Sequence, residues 1–387
     1  MTADQPAPET GGACSAYFLA NCGQTPDPEA AAGWIPAASK MTTSRRTTIK
    51  DIARVAGLST AAVSQALRPH PNSNIKLQAE TVDRVKKVAL ELNYQPHSGA
   101  RSIRSNRFNT IGYFIAKSGQ FTSTPYGYMA GVHDIAEEHG FRMTMIRLPR
   151  SIDEISTVIP SVFSERNIDA LLIESYSELA YQIYERIKAS GMPVIFVNDR
   201  HKTNSVYVDD EWGAIEITRH LLDKGYQRIA FIQRHIAGGP AVEKMHHSAA
   251  DREAGYRKAM KEAGRGAFCH TVNTKGLVGL DVELCQDDWD VIARHDAVIA
   301  YDDDLANLIA QSAYSRNVRI PDVLAIAGFN GDYASLSAWQ RLTTIQIPSY
   351  EMGRTAAKMA FELVENGIET TLPSAVYRPV LILGQTT

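Results

Sequence analysis

The feature that most constrains this chain is the stretch from Thr47 to Arg68, TTIKDIARVAGLSTAAVSQALR. Ile49, Ile52, Ala53, Val55 and Ala56 share one helical face before Gly57, and Leu58, Ala62, Val63, Ala66 and Leu67 share another after it. Apolar stripes at this spacing on both sides of a glycine predict two short helices packed together, with Gly57 making the turn. Thr48 followed three residues on by Asp51 is a capping-box pattern for the first helix, and Ser59 is placed to cap the second. Two readings fit: an ordinary αα-hairpin, or a helix-turn-helix that presents its second helix to the DNA major groove.

Charge separates them. From Met41 to Arg107 there are 12 Lys or Arg against 4 Asp or Glu, a net +8, whereas the whole chain is −3, so the remainder carries −11. A small basic module on a large acidic body is the distribution expected of a nucleic-acid-binding head, because phosphate neutralisation drives such binding. Thr60, Ala61, Ser64, Gln65 and Arg68 are left facing outward. Short and hydrogen-bonding side chains of these types can enter a groove and meet base edges.

The resemblance then extends well beyond one motif. IKDIARVAGLSTAAVSQAL, LNYQPHSGARSIRSNRFNTIGYF, VYVDDEWGAIEITRHLLDKGYQRIAFI, REAGYRKAM, AVIAYDDDLA, RIPDVLAIAGFN and LTTIQIPSYEMG follow one another in an order that resembles the LacI/GalR family of bacterial transcription regulators. The resemblance implies an all-α helix-turn-helix head, a hinge, and a two-lobed α/β body of the periplasmic-binding-protein type. The expected organisation is a disordered extension over 1–46 with translation starting at Met41, a DNA-binding domain over 47–95, and a hinge over 96–108. The effector-binding and dimerisation body follows over 109–387, with lobe one as 109–207 and 348–372 and lobe two as 208–347 and 373–387.

Residues 1–40 are rich in Ala, Pro, Gly and Thr and have no basic segment followed by an apolar run, so they do not read as a signal peptide. No run of about 18 apolar residues reads as a membrane span. Cys14, Cys22, Cys269 and Cys285 show no CxxC or Cys/His spacing, which fits a reduced cytoplasmic protein, found on the nucleoid when bound to DNA, better than a disulfide or zinc scaffold. Val82, Val85, Val88, Ala89 and Leu92 predict a third head helix over 78–92. In the hinge, HSGARSIRS is too short and too polar to hold a helix alone. By resemblance it becomes helical on DNA, and Ile103 is the apolar wedge that opens a minor-groove base step, with Arg101 and Arg104 beside it. Thr47, Thr48, Ser59 and Asn93 are expected at the phosphate backbone.

From Asn109 onward apolar strand-like runs alternate with amphipathic helical stretches, among them helices over 152–164, 179–190 and 252–263. This βα repetition argues for parallel sheets covered by helices, with a ligand at the carboxyl ends of the strands. The resemblance implies effector contacts at Arg252, Asp302, Asn330 and Asn198, with Phe121 and Tyr126 in the first strand-to-helix loop as an aromatic platform. Asp302 stands where the family commonly has Asn, and Asn330 where it commonly has Asp, so the charged acceptor is exchanged between two positions and the usual sugar pattern does not transfer. Arg252 also fits a structural ion pair, and Asp302, Asp303 and Asp304 also fit helix N-terminal carboxylates. His235, His246 and His247 lack the spacing of a metal site.

The expected function is therefore an effector-responsive regulator, a repressor acting as a homodimer on a palindromic operator, with a carbohydrate-like small molecule as effector. No cofactor, metal, membrane or catalytic residue is expected. No heptad pattern follows Leu383, so a dimer is the expected state. Two other classes share parts of the pattern. A transport-associated solute receptor would need a secretion signal and no head. A glycosidase would need two carboxyls flanking one bond, which the adjacent residues Asp302 to Asp304 do not supply.

Overall fold

The structure, a computed structural model, describes residues 47–67, 74–95, 107–115, 126–147, 167–174, 184, 185, 187, 191–236, 246–274, 284–331, 340–367 and 370–387. The chain divides into two compact units, 1–96 and 97–387. The expectations for the extension 1–46, for most of the hinge and for the helices over 152–164 and 179–190 fall outside the described residues, apart from isolated positions.

The first unit contains α1 (Ile49–Ala56), α2 (Thr60–Leu67) and α3 (Ala79–Glu91). Thr48 and Asp51 form the reciprocal capping box, and Gly57 ends α1 in the left-handed region at φ 63°, a conformation glycine adopts without steric cost. Ile52, Ala53, Ala56, Val63, Ala66, Val85, Val88 and Ala89 make a single small core. Val55 departs from the sequence expectation and is 55% exposed. An eight-residue helix facing two others buries only the centre of its apolar stripe, and Val55 lies at the stripe's edge.

The second unit is built on two six-stranded sheets. The first has strand order β11-β5-β4-β3-β1-β2, all parallel, from β1 (Thr110–Ile115), β2 (Arg142–Arg147), β3 (Ala170–Glu174), β4 (Val194–Val197), β5 (Ser205–Val208) and β11 (Ala375–Tyr377). The second has order β12-β10-β9-β8-β6-β7, from β6 (Ile229–Ile236), β7 (Phe268–Thr274), β8 (Ala297–Ala300), β9 (Ala325–Asn330), β10 (Thr343–Gln346) and β12 (Val380–Ile382). Only the edge pair β10 and β12 is antiparallel. The buried runs of β1, β3, β4, β8 and β9 are nearly all apolar, as sheets covered on both faces require.

Helices α4 (Tyr126–Glu138) and α9 (Ser349–Asn366) cover one face of the first sheet, contributing Tyr128, Val132, Ile135, Met352, Ala356 and Ala360 to its core. In the second lobe α5 (Asp210–Asp223) and α6 (His247–Glu262) cover one face, and α7 (Gln286–Ile292) and α8 (Asp303–Ser315) the other. The chain passes between lobes in three short steps, from β5 to α5, from β10 to α9, and from β11 to β12.

Two boundaries differ from the sequence expectation. The segment 373–387 divides between the lobes: β11 pairs with β5 in lobe one, and only β12 belongs to lobe two. Three-residue strands carry too little periodicity to be assigned from sequence. The helix expected from Arg252 begins at His247, because the His246 ring caps it by accepting the Ser248 N–H.

Glycines set how closely α4 and α9 approach. A Cβ on Gly131 would collide with the Tyr350 carbonyl and the Arg354 amide, and one on Gly353 with the Tyr128 carbonyl. Replacing Gly131 by Val must push the two helices apart or distort them, an overpacking cost of about 1–3 kcal/mol. Thermal unfolding of the G131V protein should show a clearly lowered midpoint; an unchanged midpoint would contradict this packing.

Candidate functional site

Two surfaces gather the residues expected to act. On the head, Ser59, Thr60 and Ala61 are exposed and Ser64 and Gln65 half-buried, so the first turns of α2 offer one accessible edge. The Ser59 hydroxyl accepts the Ala62 N–H at 3.1 Å and fixes the start of that helix. Thr48 is engaged with Asp51, its hydroxyl donating to the carboxylate at 2.7 Å, and Thr47 donates to the Leu92 carbonyl at 2.8 Å, tying the start of α1 to the end of α3. Thr48 thus caps α1 as the sequence predicts, and Thr47 has a structural task that the sequence reading did not assign to it. Asn93 is exposed just after α3, in the left-handed region at φ 46°. Arg68, Arg101, Ile103 and Arg104 lie outside the described residues.

In the body, polar side chains converge at the carboxyl ends of the strands, with Arg252 at the centre. It is 4% exposed. Its Nε donates to Asp210 at 2.7 Å, Nη1 to the Tyr301 carbonyl at 2.5 Å, and Nη2 to Asn330 Oδ1 at 3.3 Å. The guanidinium also lies over the rings of Phe329 and Tyr301, with its carbon 4.0 and 4.8 Å from their centroids. Burial opposes its charge, but Asp210 more than compensates and its pKa is raised.

Asp302 pairs with a different arginine. Its Oδ2 accepts from Arg234 at 2.6 Å, while Oδ1 caps α8 by accepting the Leu305 N–H at 2.8 Å. Asp303 is also buried, accepting from the Thr344 hydroxyl at 2.6 Å and the Gly331 N–H at 2.8 Å. Arg252 thus forms an ion pair whose negative partner is Asp210, a residue the sequence did not single out, and Asp302 serves Arg234 and the helix cap. Asn330 holds φ at 109°, a conformation that favours Asn and Gly among side chains, so backbone as well as charge constrains that position.

A chain of hydrogen bonds carries the cluster across to lobe one. The Tyr301 hydroxyl meets Ser248 Oγ at 2.9 Å, Ser248 Oγ meets His246 Nδ1 at 2.7 Å, and His246 Nε2 meets the Asn198 carbonyl at 2.5 Å. His247, next in sequence, lies 3.9 Å from Asp199 and 4.0 Å from Asp210. Burial lowers the pKa of His246 to about 4 and that of His247 to about 3. Both rings are therefore neutral at pH 7, and the nitrogen of His246 that faces the Asn198 carbonyl carries its proton.

The structure thus brings together Arg252 and Asn330 directly, Asn198 through His246, and Asp302 through its neighbour Tyr301. Tyr126 is 78% exposed at the start of α4 and is not part of this buried cluster. Phe121 lies outside the described residues. Asp210, Arg234, Tyr301, His246 and His247 were missed by the sequence reading. Ser248 and Arg252 lie four apart on one helix, a spacing that could have pointed to the start of α6. Nothing local links Asp210 to Arg252. Among the described residues no group of three or more His, Cys, Asp or Glu has the spacing to hold a metal ion, and no helix is long and apolar enough to cross a membrane.

Comparison with known proteins decides the family. Residues 48–97 match the model of bacterial regulatory proteins, lacI family, and residues 218–387 match a periplasmic binding protein-like domain. The chain thus joins a lacI-family regulatory domain to a periplasmic binding protein-like domain. The transcriptional regulator RegA of Clostridium saccharobutylicum is 28% identical over 88% of this chain and 99% of its own length. Catabolite control protein A of Priestia megaterium is 26% identical over 86% and 96%. The crystal structure of the lac repressor dimer bound to operator and an anti-inducer is similar in fold, with a TM-score of 0.69 at 19% identity, covering 89% of this chain and 99% of that one. The chain therefore has the expected fold class, a helix-turn-helix head with a periplasmic-binding-like body.

The neutral histidines give the body a pH dependence of defined sign. Both have folded pKa values below the ordinary 6.5, so the unfolded chain binds more protons and their stabilising contribution is complete only above pH 6.5. It declines as pH falls toward about 4 for His246 and about 3 for His247. The limiting slope is about 1.4 kcal/mol per pH unit for each histidine. Denaturant unfolding between pH 7.5 and 4.5 (about three units, within the range where linkage applies) should show this loss, reduced in His246→Gln. An identical profile for the variant would contradict the assignment.

Proposed function

We propose that this chain is a sequence-specific repressor that acts as a homodimer in the cytoplasm on a palindromic operator, released or tightened by a small molecule bound between the lobes. The observation that carries this reading is the capped helix-turn-helix with the start of α2 exposed, inside the segment that matches the lacI family model. Thr60, Ala61, Ser64 and Gln65 would read major-groove edges, and Ser59, Asn93, Arg68 and the basic residues nearby would meet phosphate. The hinge residues Arg101, Ile103 and Arg104 would enter the minor groove at the centre of the site, an assignment that rests on the family resemblance. The repressor bound as a dimer to operator and anti-inducer supports the dimeric, ligand-controlled reading.

In the body, Arg252, Asn330, Asn198 and Asp302 with their partners would hold the effector, and carbohydrate-like molecules suit a site of fixed polar groups beside aromatic rings. The protein would act by binding rather than turnover: the relatives it matches are regulators, and Asp210 and Asp302 are committed to arginines and a helix cap. Coupling follows from linkage, since a ligand that favours one arrangement of the lobes changes operator affinity by the same factor that operator changes ligand affinity.

Selection of random duplex DNA with the full chain should enrich a palindrome, and Gln65→Ala should weaken binding to it by about 1–3 kcal/mol while leaving nonspecific affinity nearly unchanged. Equal loss on both kinds of DNA would remove Gln65 from base reading. Enrichment of no sequence, with and without a metabolite panel, would overturn the function.

A further inference from the structure

The head keeps its charge apart from the helix that offers side chains to a groove. The cations among its described residues are Lys50 and Arg54 on α1, Arg84, Lys86 and Lys87 on α3, and Lys76 just before α3, all of them exposed. Helix α2, TAAVSQAL, contains no Lys or Arg. Its buried residues Ala62, Val63 and Ala66 face the head's core, and its accessible edge is Thr60, Ala61, Ser64 and Gln65. Cations set away from α2 neutralise phosphates, which gives affinity without sequence. On α2 itself, sequence has to be read by neutral groups.

Base pairs differ in what they ask of a side chain in the major groove. Guanine presents two acceptors and is met best by the donors of arginine or lysine, which α2 lacks. Adenine presents an acceptor beside a donor, and a carboxamide such as that of Gln65 carries the matching donor and acceptor. Thymine presents a methyl group, for which the methyl groups of Ala61 and Thr60 are apolar partners. The Ser64 hydroxyl serves either kind of pair. Ser59, Thr60 and Ala61 are exposed and short, so no long side chain at the start of α2 holds its backbone away from base edges. Ala61 and Gln65 stand four positions apart on one helix face, about 5–6 Å from each other, and successive bases are about 3.4 Å apart, so the two residues address base pairs within two steps.

We infer that α2 specifies A·T pairs in each half-site: Gln65 reads an adenine, and Ala61 and Thr60 pack on thymine methyl groups within two base-pair steps of it. This rests on the reading that α2 enters the major groove of an operator. Gln65 is the specificity-determining residue, because among the accessible side chains of α2 it is the one that can direct two hydrogen bonds to a single base.

The test is selection of random duplexes with the full chain and with Gln65→Arg, followed by titration of the selected wild-type site with single thymines replaced by deoxyuridine or single adenines by 7-deazaadenine. The wild type should enrich A·T pairs at adjacent or next-adjacent positions of each half-site, and Gln65→Arg should change one of them, symmetrically, to G·C. Removing the methyl group of a contacted thymine should weaken binding about fourfold. Removing N7 of the adenine read by Gln65 should weaken it about tenfold in the wild type and have no further effect in Gln65→Ala. The slope of affinity against salt should stay as it is, because no phosphate contact is lost. Specified half-site positions that are G·C, or a preference that Gln65→Arg leaves unchanged, would overturn the inference while an enriched palindrome still upholds operator binding. Enrichment of no sequence would overturn both. Should Gln65→Arg fail to fold, the modified duplexes titrated with the wild type still decide.

Discussion

The buried pair of Arg252 and Asp210 is the interaction on which the rest of the body depends. Removing an arginine and a carboxylate from water is costly, and the pair is tolerable because each nitrogen of the guanidinium has an acceptor, Asp210, the Tyr301 carbonyl and Asn330, and two aromatic rings lie against its faces. The geometry also explains why α5 and α6 lie so close. Gly255, three residues beyond Arg252, is where a Cβ would collide with the Glu211 carbonyl, so the helices touch through backbone just where the ion pair joins them.

From that fixed point order spreads outward. Arg252 holds the Tyr301 carbonyl, the Tyr301 hydroxyl meets Ser248, Ser248 meets His246, and His246 meets the Asn198 carbonyl of the other lobe. Arg200 and Asp251 make a second bridge between lobes nearby. Three short crossings join the lobes, so a change in how they meet is resisted mainly by such side-chain contacts. A ligand bound across this seam would supply the kind of differential contact a two-state switch requires.

Much of this was legible in the sequence where the signal is local. The capping box at Thr48, the turn at Gly57 and the apolar stripes of the head depend on residues within a few positions of each other, and they appear as expected apart from Val55 at the stripe's edge. The alternation of buried strands and amphipathic helices likewise announced two parallel sheets. What could not be read was whatever depends on the sheets being assembled. Asp210 and Arg252 are 42 residues apart and meet because β5 and β6 deliver their following helices to the same face. For the same reason the pairing of Asp302 with Arg234, 68 residues away, could not be read, and β11, three residues long, gave no hint of which lobe it joins.

The most direct test of this account is a double-mutant cycle on the central pair, read by denaturant unfolding of the full chain. Asp210→Ala leaves Arg252 buried without its counter-charge and should cost about 3–5 kcal/mol, while the double replacement Asp210→Ala with Arg252→Met, which removes both charges, should recover most of that loss. If Asp210→Ala costs no more than an ordinary surface change, or if the double replacement is simply the sum of two large losses, then the buried pair is not what the body is organised around.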